Sequence, residues 1–422
     1  MIEISTQPIR NCEIMVPGSK SYTHRILIAA ALSDGKCNIY NGLRSEDTEL
    51  TTNALIKMGV AITTDSDKVT VWGQNGKLNA PEKPVDLRNS GTSMRLLTGV
   101  AALARGRTVL TGTKRMQNRP IQDLMDALKQ LEVPVCSLNN NGCPPIEING
   151  GNIPQAHTDI RCKVSSQYLS ALLLIAPCTE QGLDISVIEG PVSKPYIDMT
   201  LDVMNRLGIL TERNGYEHFN VPGNQIYKAG DYLVESDGSQ AGYFWAAAAV
   251  TGASVKVSGV KKESRQGDIR LAEILEQMGC TVSYDSSGIT VTGRDGHLKA
   301  VKADMSDMPD QVPTLAVAAA FADGVTIIEN VAHLKAKECD RLSCVATELS
   351  KMGIKVVCTE SGLRITGGKP AGAQIETYDD HRIAMSFAVA GLKTPGVFIK
   401  NEMCVEKSFP NYWEVFERLY KS

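Results

Sequence analysis

Small polar residues stand beside cations at several places in this sequence, and carboxylates stand among the cations. Gly18-Ser19-Lys20-Ser21 is followed by Arg25, and Asn89-Ser90-Gly91-Thr92-Ser93 by Arg95. Further along lie Arg115 to Pro120, Ser165-Ser166-Gln167, Lys337-Glu338-Cys339-Asp340-Arg341, Asp379-Asp380-His381-Arg382 and Lys407-Ser408. A small polar residue directly ahead of an apolar run marks a helix start. There, unpaired N–H groups and the positive end of the helix dipole attract anions. Ser21, Thr92, Ser166 and Ser239 are read as N-caps, and for any single turn capping alone accounts for the residue type. Lysine and arginine gathered at such turns point to small, multiply charged anions bearing phosphate and carboxylate groups. Solvated charges and local salt bridges are the plainer alternative. Asp310, after Pro309, and Glu338, between Lys337 and Arg341, are carboxylates among cations and therefore candidate acid–base groups. They favour an enzyme over a binding module.

The elements that must hold these residues recur. The polar turns, anchored at Ser21, Ser93, Gln167, Gln240, Gln311 and Arg382, are spaced by 72, 74, 73, 71 and 71 residues. Such a period is the mark of a repeat architecture. Each turn opens an Ala/Leu-rich segment that reads as a helix buried on all sides. A glycine follows (Gly35, Gly106, Gly182, Gly252, Gly324, Gly391), then a β-rich run and an amphipathic helix, most of these ending in Met-Gly or Leu-Gly. A strand pair closes most repeats. The sixth repeat has no closing strands, and the N-terminal strands, Ile2-Glu3-Ile4 and Glu13 to Val16, belong to no repeat. They are expected to complete the last one. The chain then forms two lobes of three repeats, 1–18 plus 236–422 and 19–235. Gly-x-Gly-x-x-Gly after a first strand and the P-loop are both missing, which argues against a dinucleotide-binding sheet.

Composition sets the remaining bounds. The chain has 422 residues, 43% of them hydrophobic and 22% charged, with a formal net charge of −3. This is an ordinary globular composition of two or three domains, with no basic field for nucleic acid. No apolar stretch reaches the roughly 20 residues of a membrane helix, and the N-terminus does not read as a signal peptide. Eleven cysteines without metal-ligand spacing read as free, mostly buried thiols, and the chain is expected in the cytoplasm. Cys339 reads as a small buried residue, since no histidine partner for a nucleophile is evident. His24 and His333 read as structural, His157, His218 and His297 as surface residues.

Taken together, the segments from Pro17 to Pro410 resemble the 5-enolpyruvylshikimate-3-phosphate synthase family of enolpyruvyl transferases. The blocks that carry the resemblance are Pro17 to Ser21 with Arg25, Asn89 to Arg95, Arg115 to Pro120, Ser165 to Leu169, Ser193 to Asp198, Lys337 to Leu342, Tyr378 to Arg382 and Lys407 to Pro410. The resemblance implies an inside-out α/β barrel of two lobes, with helices inside, sheets outside and the active site between the lobes. It implies transfer of the enolpyruvyl group of phosphoenolpyruvate to the 5-hydroxyl of shikimate 3-phosphate through a tetrahedral intermediate. Neither cofactor nor metal is expected, nor a nucleic-acid or membrane partner, and the family expectation is a monomer whose lobes close on the ligands. Matching by position, Lys20, Ser21, Arg25, Ser165, Ser166, Gln167, Ser193, Tyr196, Asp310, His333 and Lys337 fall on the shikimate-phosphate side. Lys20, Asn89, Gly91, Thr92, Arg119, Gln167, Arg341, Asp380, His381, Arg382 and Lys407 fall on the phosphoenolpyruvate side. Asp310 matches the candidate base, Glu338 the candidate acid, and Lys20 a possible participant. A Cβ at Gly91 would intrude on the anion, and its retention implies ordinary glyphosate sensitivity. The sequence departs from the family at Ser90, Leu96 and His333, where alanine, proline and asparagine are common. The alternatives are the sister transferase acting on UDP-N-acetylglucosamine, which uses a loop cysteine not apparent here, and a non-catalytic anion-binding module.

Overall fold

The computed structural model describes residues 1–294 and 297–421. Its helices alternate in kind along the chain. Each repeat supplies a buried helix and then an outer one: α1 (Lys20–Leu32) and α2 (Glu46–Lys57), α3 (Gly91–Leu103) and α4 (Gln122–Gln130), α5 (Gln167–Ile175) and α6 (Pro195–Arg206). The series continues with α7 (Gly238–Thr251) and α8 (Leu271–Gln277), α9 (Val312–Ala319) and α10 (Arg341–Lys351), α11 (His381–Gly391) and α12 (Tyr412–Glu417). Composition explains the alternation. Leu169, Leu172, Leu173, Leu174 and Ile175 of α5 are all inaccessible to solvent. At about 1.5–3 kcal/mol per buried aliphatic side chain, such a helix is held by packing rather than by propensity. The outer helices bury one face only, as in α4, where Leu124, Met125, Ala127 and Leu128 turn inward.

Four helices, α1, α3, α7 and α11, start earlier than their anchor residues suggest. Side-chain oxygens of Ser19, Ser90, Asp237 and Asp380 accept the first-turn amides of α1, α3, α7 and α11. Ser21, Thr92 and Ser239 therefore sit inside the first turn and are not the caps, whereas Ser166 does stand at the cap position. The closing glycines also differ among themselves. Gly252 ends α7 in the left-handed region, at φ 88°. Gly391 is still helical, and its role is close approach: a Cβ there would stand 2.4 Å from Ile4 Cβ.

The chain divides into two compact units, Met1–Pro17 with Glu235–Ser422, and Gly18–Val234. Each has its own hydrophobic core. In the second unit α1, α3 and α5 pack on one another; in the first, α7, α9 and α11 do. The strands form separate small sheets rather than one closed barrel. In Val85–Asp86, Gly106–Thr111, Ile146–Gly150 and Val135–Ser137, the strand leading into the buried helix pairs parallel with the strand that follows it. The rest of that sheet is antiparallel. The third and fifth repeats are built alike.

The N-terminal strands separate. β1 (Ile2–Glu3) pairs with Phe398–Ile399 and so completes the last repeat, as expected. β2 (Cys12–Met15) does not join it. It pairs parallel with Ser254–Ser258 and completes the fourth repeat. Conversely Asp231–Leu233, which leads into the fourth repeat, pairs with β3 (Lys36–Tyr40) of the first. The reason lies in the chain path. Both leading strands precede the residues where the chain changes unit, so each stays in the unit it comes from and completes a sheet there. Among the described residues no helix is long and apolar enough to cross a membrane.

Candidate active site

In the unit Gly18–Val234, the start of α1 brings Lys20 against the first turn of α2. Lys20 Nζ lies 3.0 Å from Asp47 Oδ2, and both side chains are buried. A buried ion pair of this kind fixes the ammonium by charge and geometry together. Arg25, one turn further along α1, is fully buried among neutral groups. It donates to Thr200 Oγ1 at 2.7 Å, to the Ser21 and Tyr196 carbonyls at 2.9 and 3.0 Å, and to Ser170 Oγ at 3.4 Å. Burial lowers its pKa to about 10, so the guanidinium still carries its charge at neutral pH, with no carboxylate paired to it among the described residues. A buried charge without a counterion favours an anion nearby.

The start of α3 holds a second cation. Arg119 Nη1 donates to the carbonyl and side-chain oxygens of Asn89, at 3.0 and 3.2 Å. A Cβ on Gly91 would stand 2.4 Å from Arg119 Nη2. The glycine therefore admits the guanidinium to the helix end, and the first steric conflict is with Arg119 rather than with an anion. Gln167, at the start of α5, donates to Thr92 Oγ1 at 2.9 Å and accepts from Arg95 Nη1 at 2.9 Å. Ser165 Oγ accepts the Gln167 amide. Ser165, Ser166 and Ser193 are buried, and Ser193 has φ 56°.

In the unit containing Glu235–Ser422, one arginine organises the acids. Arg341 Nε donates to Asp380 Oδ2 at 2.7 Å, Nη1 to Asp310 Oδ1 at 2.8 Å, and Nη2 to Glu338 Oε2 at 2.8 Å. Arg382 Nη2 reaches Asp310 Oδ2 at 2.7 Å and Ser239 Oγ at 3.1 Å, and Nη1 reaches the Tyr243 hydroxyl at 3.2 Å. Three carboxylates thus share two guanidinium groups. Arg341 is fully buried, and Asp380, Glu338 and Asp310 hold its pKa well above the ordinary value, although burial by itself acts the other way. Lys407 and His381 are buried, and Lys337 is half-buried. His333 is buried, and its Nε2 has no hydrogen-bond partner among the described residues. Burial, with Lys337 nearby, lowers its pKa to about 3, so the ring is neutral.

Within each unit the structure gathers most of the expected residues. Asp310, Glu338, Arg341, Asp380 and Arg382 form one network. Asn89, Gly91 and Arg119 form another, and Thr92 and Gln167 a third. Tyr196 meets Arg25 through its backbone carbonyl. Asp47, Ser170, Thr200 and Tyr243 were not singled out from sequence, and Ser239 was read only as a cap. Asp47 left a trace there, as one of three acids in the first turn of α2. The others are ordinary core polar residues until the fold brings an arginine to them. Cys339 is buried, 3.5 Å from Asp380 Oδ2. A hydrogen bond with Cys344 and then burial push its pKa up, which leaves an inert thiol. His157 and His218 lie at the surface beside Asp184. Among the described residues no group of three His, Cys, Asp or Glu side chains is arranged to hold a metal ion.

Residues 6–416 match the family model described as EPSP synthase (3-phosphoshikimate 1-carboxyvinyltransferase). A 3-phosphoshikimate 1-carboxyvinyltransferase of Syntrophobacter fumaroxidans is 41% identical over 409 residues, 96% of each chain. A chloroplastic relative of the same description from Arabidopsis thaliana is 42% identical over 99% of this chain and 85% of its own. Among solved structures, an EPSP synthase from Acinetobacter baumannii matches with a TM-score of 0.81 and 30% identity, covering 99% of this chain and 97% of the other. The enolpyruvyl transferase NikO of Streptomyces tendae, 18% identical with a TM-score of 0.79, shares the fold. The chain, with its arginine-clasped carboxylates and its glycine-gated helix start, belongs to the EPSP synthase (3-phosphoshikimate 1-carboxyvinyltransferase) family.

Proposed function

We propose a division of labour among these residues for the reaction of the family. The chain transfers the enolpyruvyl group of phosphoenolpyruvate to the 5-hydroxyl of shikimate 3-phosphate, releasing phosphate. It does so by addition and then elimination, in the pathway to chorismate and the aromatic amino acids. Both substrates carry phosphate and carboxylate, so each needs several cations. Lys20, Ser21, Arg25, Ser165, Ser166, Gln167, Ser193, Tyr196, His333 and Lys337 take shikimate 3-phosphate, Arg25 supplying its uncompensated charge. Lys20, Asn89, Thr92, Arg119, Gln167, Arg341, His381, Arg382 and Lys407 take phosphoenolpyruvate. Gly91 serves by leaving Arg119 its place, and Asp380 by aiming Arg341.

The addition moves one proton off the 5-hydroxyl oxygen as the C–O bond forms and delivers one to the methylene carbon. Asp310 accepts the first. Glu338 donates the second, and Lys20 takes part in the proton transfers. Elimination then returns a proton from the new methyl group and expels phosphate. The observation that carries this reading is the clasp of both carboxylates on Arg341, at 2.8 Å each. An arriving anion competes for the same guanidinium, and a carboxylate loosened from its cation is the better base. The chain is proposed to act as a monomer in the cytoplasm, a compartment that suits eleven free thiols. Sedimentation of the purified chain at a mass near 45.6 kDa is the expected result.

The first experiment is phosphate release from phosphoenolpyruvate with shikimate 3-phosphate and, in parallel, with UDP-N-acetylglucosamine. Release with the shikimate compound alone is expected. Release with the nucleotide sugar alone would assign the chain to the sister reaction. Silence with both would leave an anion-binding protein.

A further inference from the structure

A cavity of about 350 Å³ opens between α1, α2 and the sheet of the first repeat, and none of the proposed substrate contacts lines it. Its size is that of a small-metabolite pocket. Leu27, Ile39 and Val69 form an apolar floor, each less than a tenth exposed, and Ile56 and Ile62 form the walls. Two opposite charges stand on the rim, Arg44 and Glu49, and they are not paired with each other. Arg44 makes one long bond, 3.4 Å to the Lys68 carbonyl. The Glu49 carboxylate makes no polar contact among the described residues, so it is open to a ligand. An apolar floor under one cation and one anion suits a molecule with an apolar body, a carboxylate and an ammonium. A fatty acid would leave Glu49 facing it unused, and an amine would leave Arg44 so.

We propose that this cavity binds an α-amino acid with an apolar side chain, and that its occupancy is felt at Lys20. The route is short. Thr23 and Thr48 line the cavity, and both hydroxyls hold the backbone of Leu43, at 3.0 and 2.8 Å. Thr48 directly follows Asp47, and Thr23 stands one turn after Lys20 on α1. The Lys20–Asp47 pair joins the two helices at 3.0 Å. A ligand wedged between α1 and α2 bears on both partners of that pair. Such a ligand changes the substrate affinity only as far as it binds the two states differently. The effect on catalysis rests on the role proposed for Lys20; the binding does not.

Calorimetry on the full chain tests the binding with L-leucine and L-phenylalanine, against glycine, hexanoate and hexylamine. One saturable site for an apolar amino acid is expected, with none for the three controls. Arg44→Gln and Glu49→Gln, both at exposed positions, should each weaken binding by about tenfold or more. No saturable binding of either apolar amino acid overturns the proposal, as does binding unchanged in both variants. Ile56→Glu, which puts a charge at the mouth, gives a second block independent of the rim. In steady-state assays the ligand should shift kcat/KM about twofold or more in the unaltered chain and not in Arg44→Gln. Binding with no kinetic shift in an active enzyme overturns the coupling. A chain that binds leucine but turns over neither acceptor points instead to failure of the proposed reaction.

Discussion

Arg341 holds Asp310 and Glu338 at equal distance, and this sharpens what single substitutions should do. Asp310→Ala and Glu338→Ala are each expected to lower kcat by roughly 10²-fold or more, the usual worth of a general acid or base. Binding of shikimate 3-phosphate, followed by calorimetry, should survive both changes. Equal loss of binding and turnover would make them ligands rather than proton carriers. His333 provides a test by pH. Its folded pKa is lowered to about 3, whereas an unfolded histidine titrates near 6.5. Below that pH the unfolded chain binds a proton that the folded chain refuses, so stability is full above about 6.5 and falls toward pH 3. At pH 5 the loss is about 2 kcal/mol. His333→Asn should lose less stability between pH 7 and pH 5 than the unaltered chain, by about that amount, in urea unfolding. An equal drop in both would mean that the ring is already protonated when folded. The cations and acids themselves were legible in the sequence, because turns and charges leave a mark residue by residue. Their partners were not. Thr200 and Tyr243 carry no signal until Arg25 and Arg382 are placed beside them.

The turn before α11 shows how an element aims these groups. Tyr378 and Asp379 both adopt left-handed φ, 55° each, a conformation that side chains other than glycine take at a cost. What holds it is Glu348 of α10, itself inaccessible to solvent. Its Oε1 accepts from the Tyr378 hydroxyl at 2.6 Å and its Oε2 from the Glu376 amide at 3.1 Å, and Lys351 Nζ donates to both at 2.8 Å. The next residue, Asp380, caps α11 and grips Arg341. Glu348→Gln keeps the volume and loses the charge. It should cost about 1.5–3 kcal/mol, the worth of bonds to a charged group, and raise KM for phosphoenolpyruvate. Denaturant unfolding and steady-state kinetics read the two effects separately. A stable variant with unchanged KM would detach the turn from the site. The order of the elements was readable from the repeat, since periodicity reflects burial and burial is local to each helix. The helix caps were misplaced by two residues in α1, α3 and α7, because several small polar residues in a row each suit a cap and only the backbone selects one. The partner of β2 was misassigned because strand pairing is set by chain path, which short sequence patterns do not record.

At the scale of the molecule, two leading strands are exchanged between repeats: β2 completes the fourth, and Asp231–Leu233 the first. The unit Gly18–Val234 is therefore one continuous segment with every strand of its sheets, whereas the other unit needs residues from both ends of the chain. Gly18–Val234 produced alone should unfold cooperatively in urea. Glu235–Ser422 alone should not, because Ile4, Ile14 and Val16 would be missing from its core. Cooperative unfolding of both segments would mean that the N-terminal strands are dispensable. The exchange also sets a timetable for the growing chain. β2 leaves the ribosome well ahead of its partner strand, which is made about 240 residues later. At about 5–20 residues per second it waits roughly 12–50 s, and β1 waits longer still for Phe398. The inserted unit can be finished in that interval. Two neighbouring strands thus keep different appointments: β2 can dock once the fourth repeat is made, whereas β1 must stay unpaired until the sixth has followed it.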